Sequence, residues 1–221
     1  MRTPALRPAW AFPKWTLALA AGACLAVPAT ATPLGLYVGG AYGVTVHARP
    51  CAEFDDRAPG GACDRVATGS KWFGGYYLMH NLAAEVAYLR FGTVHRRKGA
   101  ATATPAVGDI DVADLQDSTR AWTVGVNWQV PIFESFTNHI RVGWSVARHD
   151  TTGYITRVQT LGPTTYTTAD MRDRDYRHKP YVGAGLSGMV APNVRLFSGW
   201  DFVIDGRHSS HLFSAGLSGE F

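Results

Sequence analysis

The chain has 221 residues with a formal charge of +4, from 21 basic and 17 acidic side chains. Arg2, Arg7 and Lys14 all precede residue 32; without them 18 basic residues face 17 acidic ones, which leaves no excess charge for nucleic acid.

The three early cations lead into an apolar run from Trp15 to Val27, and Ala29-Thr30-Ala31 supplies the small residues a signal peptidase requires. This predicts a signal peptide over 1–31 and a mature domain over 32–221. The run is shorter than the roughly 20 residues a membrane-spanning helix needs. Cys24 leaves with the signal, so Cys51 and Cys63 remain as an even pair in an exported chain. A disulfide between them is predicted, worth about 3 kcal/mol on the chain-entropy model. No set of acids or histidines converges on the pair to suggest a metal.

After the signal come eight alternating stretches. They are "LYVGGAYGVTVH" at 36–47, "KWFGGYYLM" at 71–79, "LAAEVAYLRFG" at 82–92 and "RAWTVGVNWQV" at 120–130. "HIRVGWSVAR" at 139–148, "PYVGAGLSGMV" at 180–190, "VRLFSGWDFVID" at 194–205 and "HLFSAGLSGEF" at 211–221 complete the set. Each matches the ~9–11 residues of a tilted membrane-crossing strand.

Parity shows what the two faces carry. In the fourth stretch Trp122, Val124, Val126, Trp128 and Val130 share one face, against Ala121, Thr123, Gly125, Asn127 and Gln129. In the fifth, Ile140, Val142, Trp144 and Val146 oppose His139, Arg141, Gly143 and Ser145. In the seventh, Leu196, Trp200, Phe202 and Ile204 oppose Arg195, Gly199, Asp201 and Asp205. A soluble barrel would show a wet polar face rich in Lys, Glu and Gln. Here that face is small, with a few opposite charges, which suits a narrow lumen. Glu85, Arg141, Arg195, Asp201 and Glu220 are expected to form an ionic network there, since isolated buried charges are costly.

Connections alternate in length. Those at 48–69, 93–118 and 149–178 are long and 206–210 is modest, whereas 80–81, 131–138 and 191–193 are short. Short turns on one side and long loops on the other place both termini in the periplasm. The long segments, such as "GDIDVADLQDSTR" and "TRVQTLGPTTYTTADMRDRD", are open to two readings, mobile loops or strand extensions above the membrane.

"GLYVGGAYG", "WFGGYYLMHNLAAEVAYLRFG" and "HLFSAGLSGEF" together resemble the small eight-stranded outer-membrane β-barrels of the OmpA transmembrane-domain, OmpX and opacity-protein type. The resemblance implies an all-β, eight-stranded, antiparallel up-and-down barrel in the outer membrane of a Gram-negative bacterium. It also implies that the terminal aromatic, Phe221, closes the last strand and is read by the outer-membrane assembly machinery.

Other motifs carry less. Gly183, Gly185 and Gly188 spell G-x-G-x-x-G, but they lie in an alternating strand that ends in a turn instead of a helix. His208 and Ser210 match the H-x-S of outer-membrane lipid A deacylases. The later Glu220 lies about 33 Å along an extended strand, too far to complete a triad. His208 and His211 lack a convergent third ligand. His95-Arg96-Arg97-Lys98 begins the second long connection, and Arg96, Arg97 and Lys98 are candidate contacts for lipopolysaccharide phosphates.

Eight strands enclose a lumen that side chains can fill, which argues against a general diffusion pore. No catalytic, cofactor or metal set is assembled. The expected function is therefore a non-enzymatic envelope or surface-interaction protein acting through its loops, with a lipid A-modifying enzyme as the alternative. Its expected partners are outer-membrane lipid and lipopolysaccharide, the assembly machinery, and a host or environmental surface ligand.

Overall fold

The computed structural model describes residues 35–48, 62–98, 110–133, 135–160, 165–206 and 209–221. These contain nine strands: β1 (Leu36–His47), β2 (Ala62–Cys63), β3 (Val66–Met79), β4 (Leu82–Lys98) and β5 (Ile110–Phe133), followed by β6 (Phe136–Thr160), β7 (Thr165–Ala191), β8 (Val194–Val203) and β9 (Ser210–Glu220). Eight of them form one antiparallel sheet in sequential order, closed on itself by the β1–β9 and β4–β5 pairings. Closure leaves no unpaired backbone edge in the ring, which a strand structure needs in lipid. The two-residue β2 adds to β4 outside the ring, where Cys63 pairs with Arg96.

Following cross-strand partners around the ring fixes the stagger. From Leu36 the path runs through Tyr76, Ala84, Val126, Val142, Val182, Phe202 and His211, and returns to β1 at Val46, ten residues further along. A shear of that size on eight strands tilts them by about 40°.

The apolar side chains face out. Trp122 is 60% exposed, Val124 61% and Trp144 51%, whereas Asn127, Arg141 and Asp201 on the alternate face are buried. Leu196 and Phe213 also point out, and Leu212 points in. A protein surrounded by water would invert this arrangement; lipid stabilises it. From Trp122 to Ile132 the band runs about 33 Å along β5, or about 25 Å of height after tilting.

Strand lengths depart from the expected stretches. β5, β6 and β7 continue far past the band, so most of 93–118 and 149–178 is hydrogen-bonded sheet and the strand-extension reading holds. Asp114, Tyr154 and Asp170 are still in register, and β6 and β7 stay paired up to Thr160 and Thr165. The connection expected at 131–138 shrinks because Phe133 pairs with Phe136. β1, β3, β8 and β9 stop near the band, so a partial wall built on β4–β7 rises from one side of the ring.

β4 contains one irregularity. Gly92 has φ 77°, and a Cβ there would lie 2.4 Å from the Thr68 carbonyl oxygen, so only glycine fits. The bulge shifts register between Arg90 and Thr93 and reverses parity, so the buried Val94 follows the buried Leu89 and Phe91 out of step.

Candidate functional site

The lumen is filled in layers. In the middle, Lys71 Nζ lies 2.9 Å from Asp201 Oδ1 and 3.5 Å from Glu85 Oε1, and Arg141 Nε lies 3.6 Å from Asp201 Oδ1. Two cations and two anions balance. Tyr181 donates its hydroxyl to Asp201, Tyr37 donates to Glu85 at 2.8 Å, and the Asn127 amide donates to Glu85 at 2.9 Å. All of this is buried, so each charge is neutralised by a partner instead of by water.

Toward the termini, Arg195 Nε meets Glu220 Oε1 at 2.7 Å, with Tyr77 3.0 Å from the same oxygen. Toward the other end, Leu89, Phe91, Ala121, Ala147, Val203 and Leu212 form an apolar plug with the Tyr181 ring. Beyond the plug, buried Asp205 accepts from Lys179 at 3.1 Å and faces Arg177 at 3.3 Å and His149 at 3.1 Å. A cavity of about 20 Å³ between the two ionic layers is bordered by Glu85, Asn127, His139 and Arg195. That is room for a single water molecule.

The five expected ionic residues thus all point inward, but they fall into two groups separated along the axis. Lys71 is hidden in the sequence because its stretch carries aromatics on both faces, Trp72 and Tyr76 on one and Phe73 and Tyr77 on the other, so no polar face marks the lumen. Asp205, which parity puts on the inward face, lies just past the end of β8; its partner Arg177 falls in the expected connection 149–178 and Lys179 directly after it.

The lumen also explains the glycine motif. A Cβ on Gly183 would lie 2.9 Å from Asp201 Oδ1 and 3.1 Å from Arg141 Nε. One on Gly185 would lie 3.1 Å from Arg141 Nη2, and one on Gly199 2.8 Å. These glycines make room for the Arg141 guanidinium.

Other candidates are dispersed. Ser210 is buried, with its Oγ 3.0 Å from Nδ1 of His47, whose Nε2 lies 3.1 Å from the Phe91 carbonyl oxygen. His208 and Cys51 lie outside the described residues, and Cys63 sits in β2. Arg96 pairs with Asp117 on the inner face, whereas Arg97 pairs with Asp114 at 2.9 Å on the outer face. Strand alternation therefore splits the expected basic cluster, and Arg96, Arg97 and Lys98 form no single patch. No group of three or more His, Cys, Asp or Glu among the described residues is placed to hold a metal. At the terminal end the Phe221 amide donates to the Leu36 carbonyl at 2.8 Å, continuing the β1–β9 seam.

The fold is shared with solved outer-membrane proteins. Neisserial surface protein A is 15% identical, over 86% of this chain and 100% of its own, with a TM-score of 0.50. OprG from Pseudomonas aeruginosa is 9% identical, over 86% of this chain and 97% of its own, also at 0.50. Ail, the attachment invasion locus protein of Yersinia pestis, is 12% identical, over 85% and 99%, at 0.49. No curated protein sequence matches the chain significantly. The family model for the OmpA-like transmembrane domain matches residues 34–205. With its closed eight-stranded ring, lipid-facing apolar band and filled lumen, this chain belongs to the OmpA-like transmembrane domain family of outer-membrane β-barrels.

Proposed function

We propose that this barrel is a non-enzymatic surface protein that contacts a host or environmental ligand through the tall β4–β7 wall. In this reading both termini face the periplasm and the wall stands outside the cell. The observation that carries it is the continuation of β6 and β7 in full register well beyond the apolar band, with Arg148, Asp150, Thr152 and Tyr154 on its outer face. An ordered polar sheet of that height serves neither insertion nor closure, and the filled lumen leaves transport a poor use for it.

The same reading includes removal of residues 1–31, a Cys51–Cys63 disulfide in the first long connection, and Phe221 as the assembly signal. Cysteine count and export support the disulfide, and the place of Phe221 on the closing seam supports its role. The lipid A-modifying alternative has less support, because Ser210 is buried and its histidine neighbour, His47, is directed to a backbone carbonyl.

Labelling of intact cells tests the orientation. A cysteine placed at Thr152 should react with a membrane-impermeant maleimide, and one placed at Asn193 should react only after lysis. The reverse pattern refutes the surface role. Unchanged lipid A mass on expression is expected, and a new acyl form would favour the enzyme.

A further inference from the structure

A row of arginines crosses the barrel where the apolar band ends. Arg90 of β4 is directly opposite Arg120 of β5, and Arg120 is directly opposite Arg148 of β6, with Tyr176 of β7 next in line. All three face outward, continuing the face of Tyr88, Trp122 and Val146 one step above the band. Tyr88 and Trp122 form an aromatic pair with ring centroids 4.9 Å apart, as expected of an interfacial girdle.

Like charges directly opposite in a sheet are destabilising, so an arginine row needs a counter-charge. Arg148 has one: its guanidinium donates to Asp150 at 2.9 Å and lies 6.0 Å from the Tyr176 ring centroid. Asp150 also accepts from Arg174 at 3.0 Å and is thereby occupied. Arg90 and Arg120 are exposed and have no ion-pair or hydrogen-bond partner among the described residues. Thus two unpartnered guanidiniums stand side by side at headgroup depth, where arginine's planar fork suits phosphate.

We infer that Arg90 and Arg120, flanked by Arg148, form a binding site for the phosphates of lipopolysaccharide in the outer leaflet. The site rests on the proposed orientation, which puts this rim at the outer leaflet. It also relocates the phosphate contact from Arg96 and Arg97, which already hold Asp117 and Asp114 and face opposite ways. The aromatic pair below would pack on the acyl chains while the guanidiniums hold the phosphate.

The test uses the full barrel in phosphatidylcholine nanodiscs that carry bisphosphorylated lipid A in both leaflets, so that its outcome does not depend on orientation. Lipid A retained after gentle detergent release is measured by native mass spectrometry. The wild type should retain it, and Arg90→Gln with Arg120→Gln should weaken retention about 30-fold, at about one kilocalorie per arginine near an anionic leaflet. Arg96→Gln with Arg97→Gln should stay within about twofold. Dephosphorylated lipid A should not be retained, and free inorganic phosphate should not compete. Equal retention by the Arg90/Arg120 variant, equal loss in the Arg96/Arg97 variant, or retention without phosphates would each overturn the site. Competition by inorganic phosphate would also overturn it, by showing a generic anion site. If the double variant lacks the heat-dependent gel shift of a closed barrel, the two single variants carry the test, each with about fivefold weaker retention expected. A failed surface-labelling result with intact lipid A retention would refute the orientation alone.

Discussion

Lys71 and Asp201 meet at 2.9 Å with neither side chain accessible to solvent, although they come from β3 and β8 and are 130 residues apart in sequence. Between them they tie together strands that do not share a hydrogen-bonded edge. Removing one partner strands the other in the lumen. Asp201→Asn should cost about 3–5 kcal/mol, because Arg141 loses its acid and Lys71 keeps only Glu85 at 3.5 Å. The double variant with Lys71→Met leaves Arg141 and Glu85 to balance, and its loss should fall well short of the sum of the two single losses. Urea unfolding midpoints in lipid vesicles, read by gel mobility, measure both. Additive losses would show that the pair is not coupled.

Gly183→Ala should also destabilise the barrel through this cluster. Its new methyl would press on Asp201 Oδ1 and Arg141 Nε, at 2.9 and 3.1 Å. Overpacking of a tight site costs about 1–3 kcal/mol. Gly74→Ala is the control, since a Cβ there meets ordinary contacts at 3.5 Å and beyond. The same unfolding assay should separate the two; equal effects would remove the packing account of these glycines.

The ring was legible in the sequence because lipid outside and side chains inside impose opposite demands on alternate residues, and Trp122 to Val130 carries that contrast undiluted. The inward face of Arg141, Asp201 and Glu85 followed from the same parity. Grouping did not follow, because parity assigns a face and says nothing of height. Local register between β8 and β9 puts Arg195 beside Glu220, and only the ten-residue stagger puts Lys71 beside Asp201. The extended strands were ambiguous for another reason: above the membrane both faces of β6 and β7 are polar, so the alternation disappears and Thr, Asp and Arg look like a loop. The arginine row was hidden because Arg90, Arg120 and Arg148 lie on three strands and become neighbours only through register.

The outer face of the wall should respond to acid through Asp150. Burial works against its charge, but hydrogen bonds from Arg148 and Arg174 hold it below its ordinary value of 3.8. A carboxyl with a lowered folded value contributes stability that is fully present above pH 3.8 and is lost as pH falls through the lowered value. Amide protection factors in 149–156 and 168–176, taken relative to the intrinsic exchange rate at each pH, should therefore be unchanged between pH 7 and 5. Below about pH 3.8 they should fall, relative to the Asp150→Asn variant, in which the acid step should be absent. The same acid step in the variant would assign the effect to another group.

The wall and the barrel should also separate by deletion. Joining Asp150 to Arg174 through Asn-Gly cuts the hairpin where the two residues are cross-strand partners, and Asn-Gly matches the twist of a two-residue turn. The cut leaves His149, Arg177 and Lys179 in place around Asp205, and leaves the apolar band and both lower ionic layers untouched. What is lost inside the wall is the packing of Ile155 on Ala113 and Leu115, worth about 1–3 kcal/mol, together with the hydrogen bond from Thr151 to Asp117 and the β6 partners of β5 from Ile110 to Asp117. The shortened protein should therefore still insert, resist detergent and shift mobility on boiling, and its lipid A retention through Arg90 and Arg120 should persist. Binding of intact cells to surface ligands should fall to the level of cells lacking the protein. Failure to close would mean that the wall is needed to build the ring; undiminished binding would move the surface contact to the remaining connections.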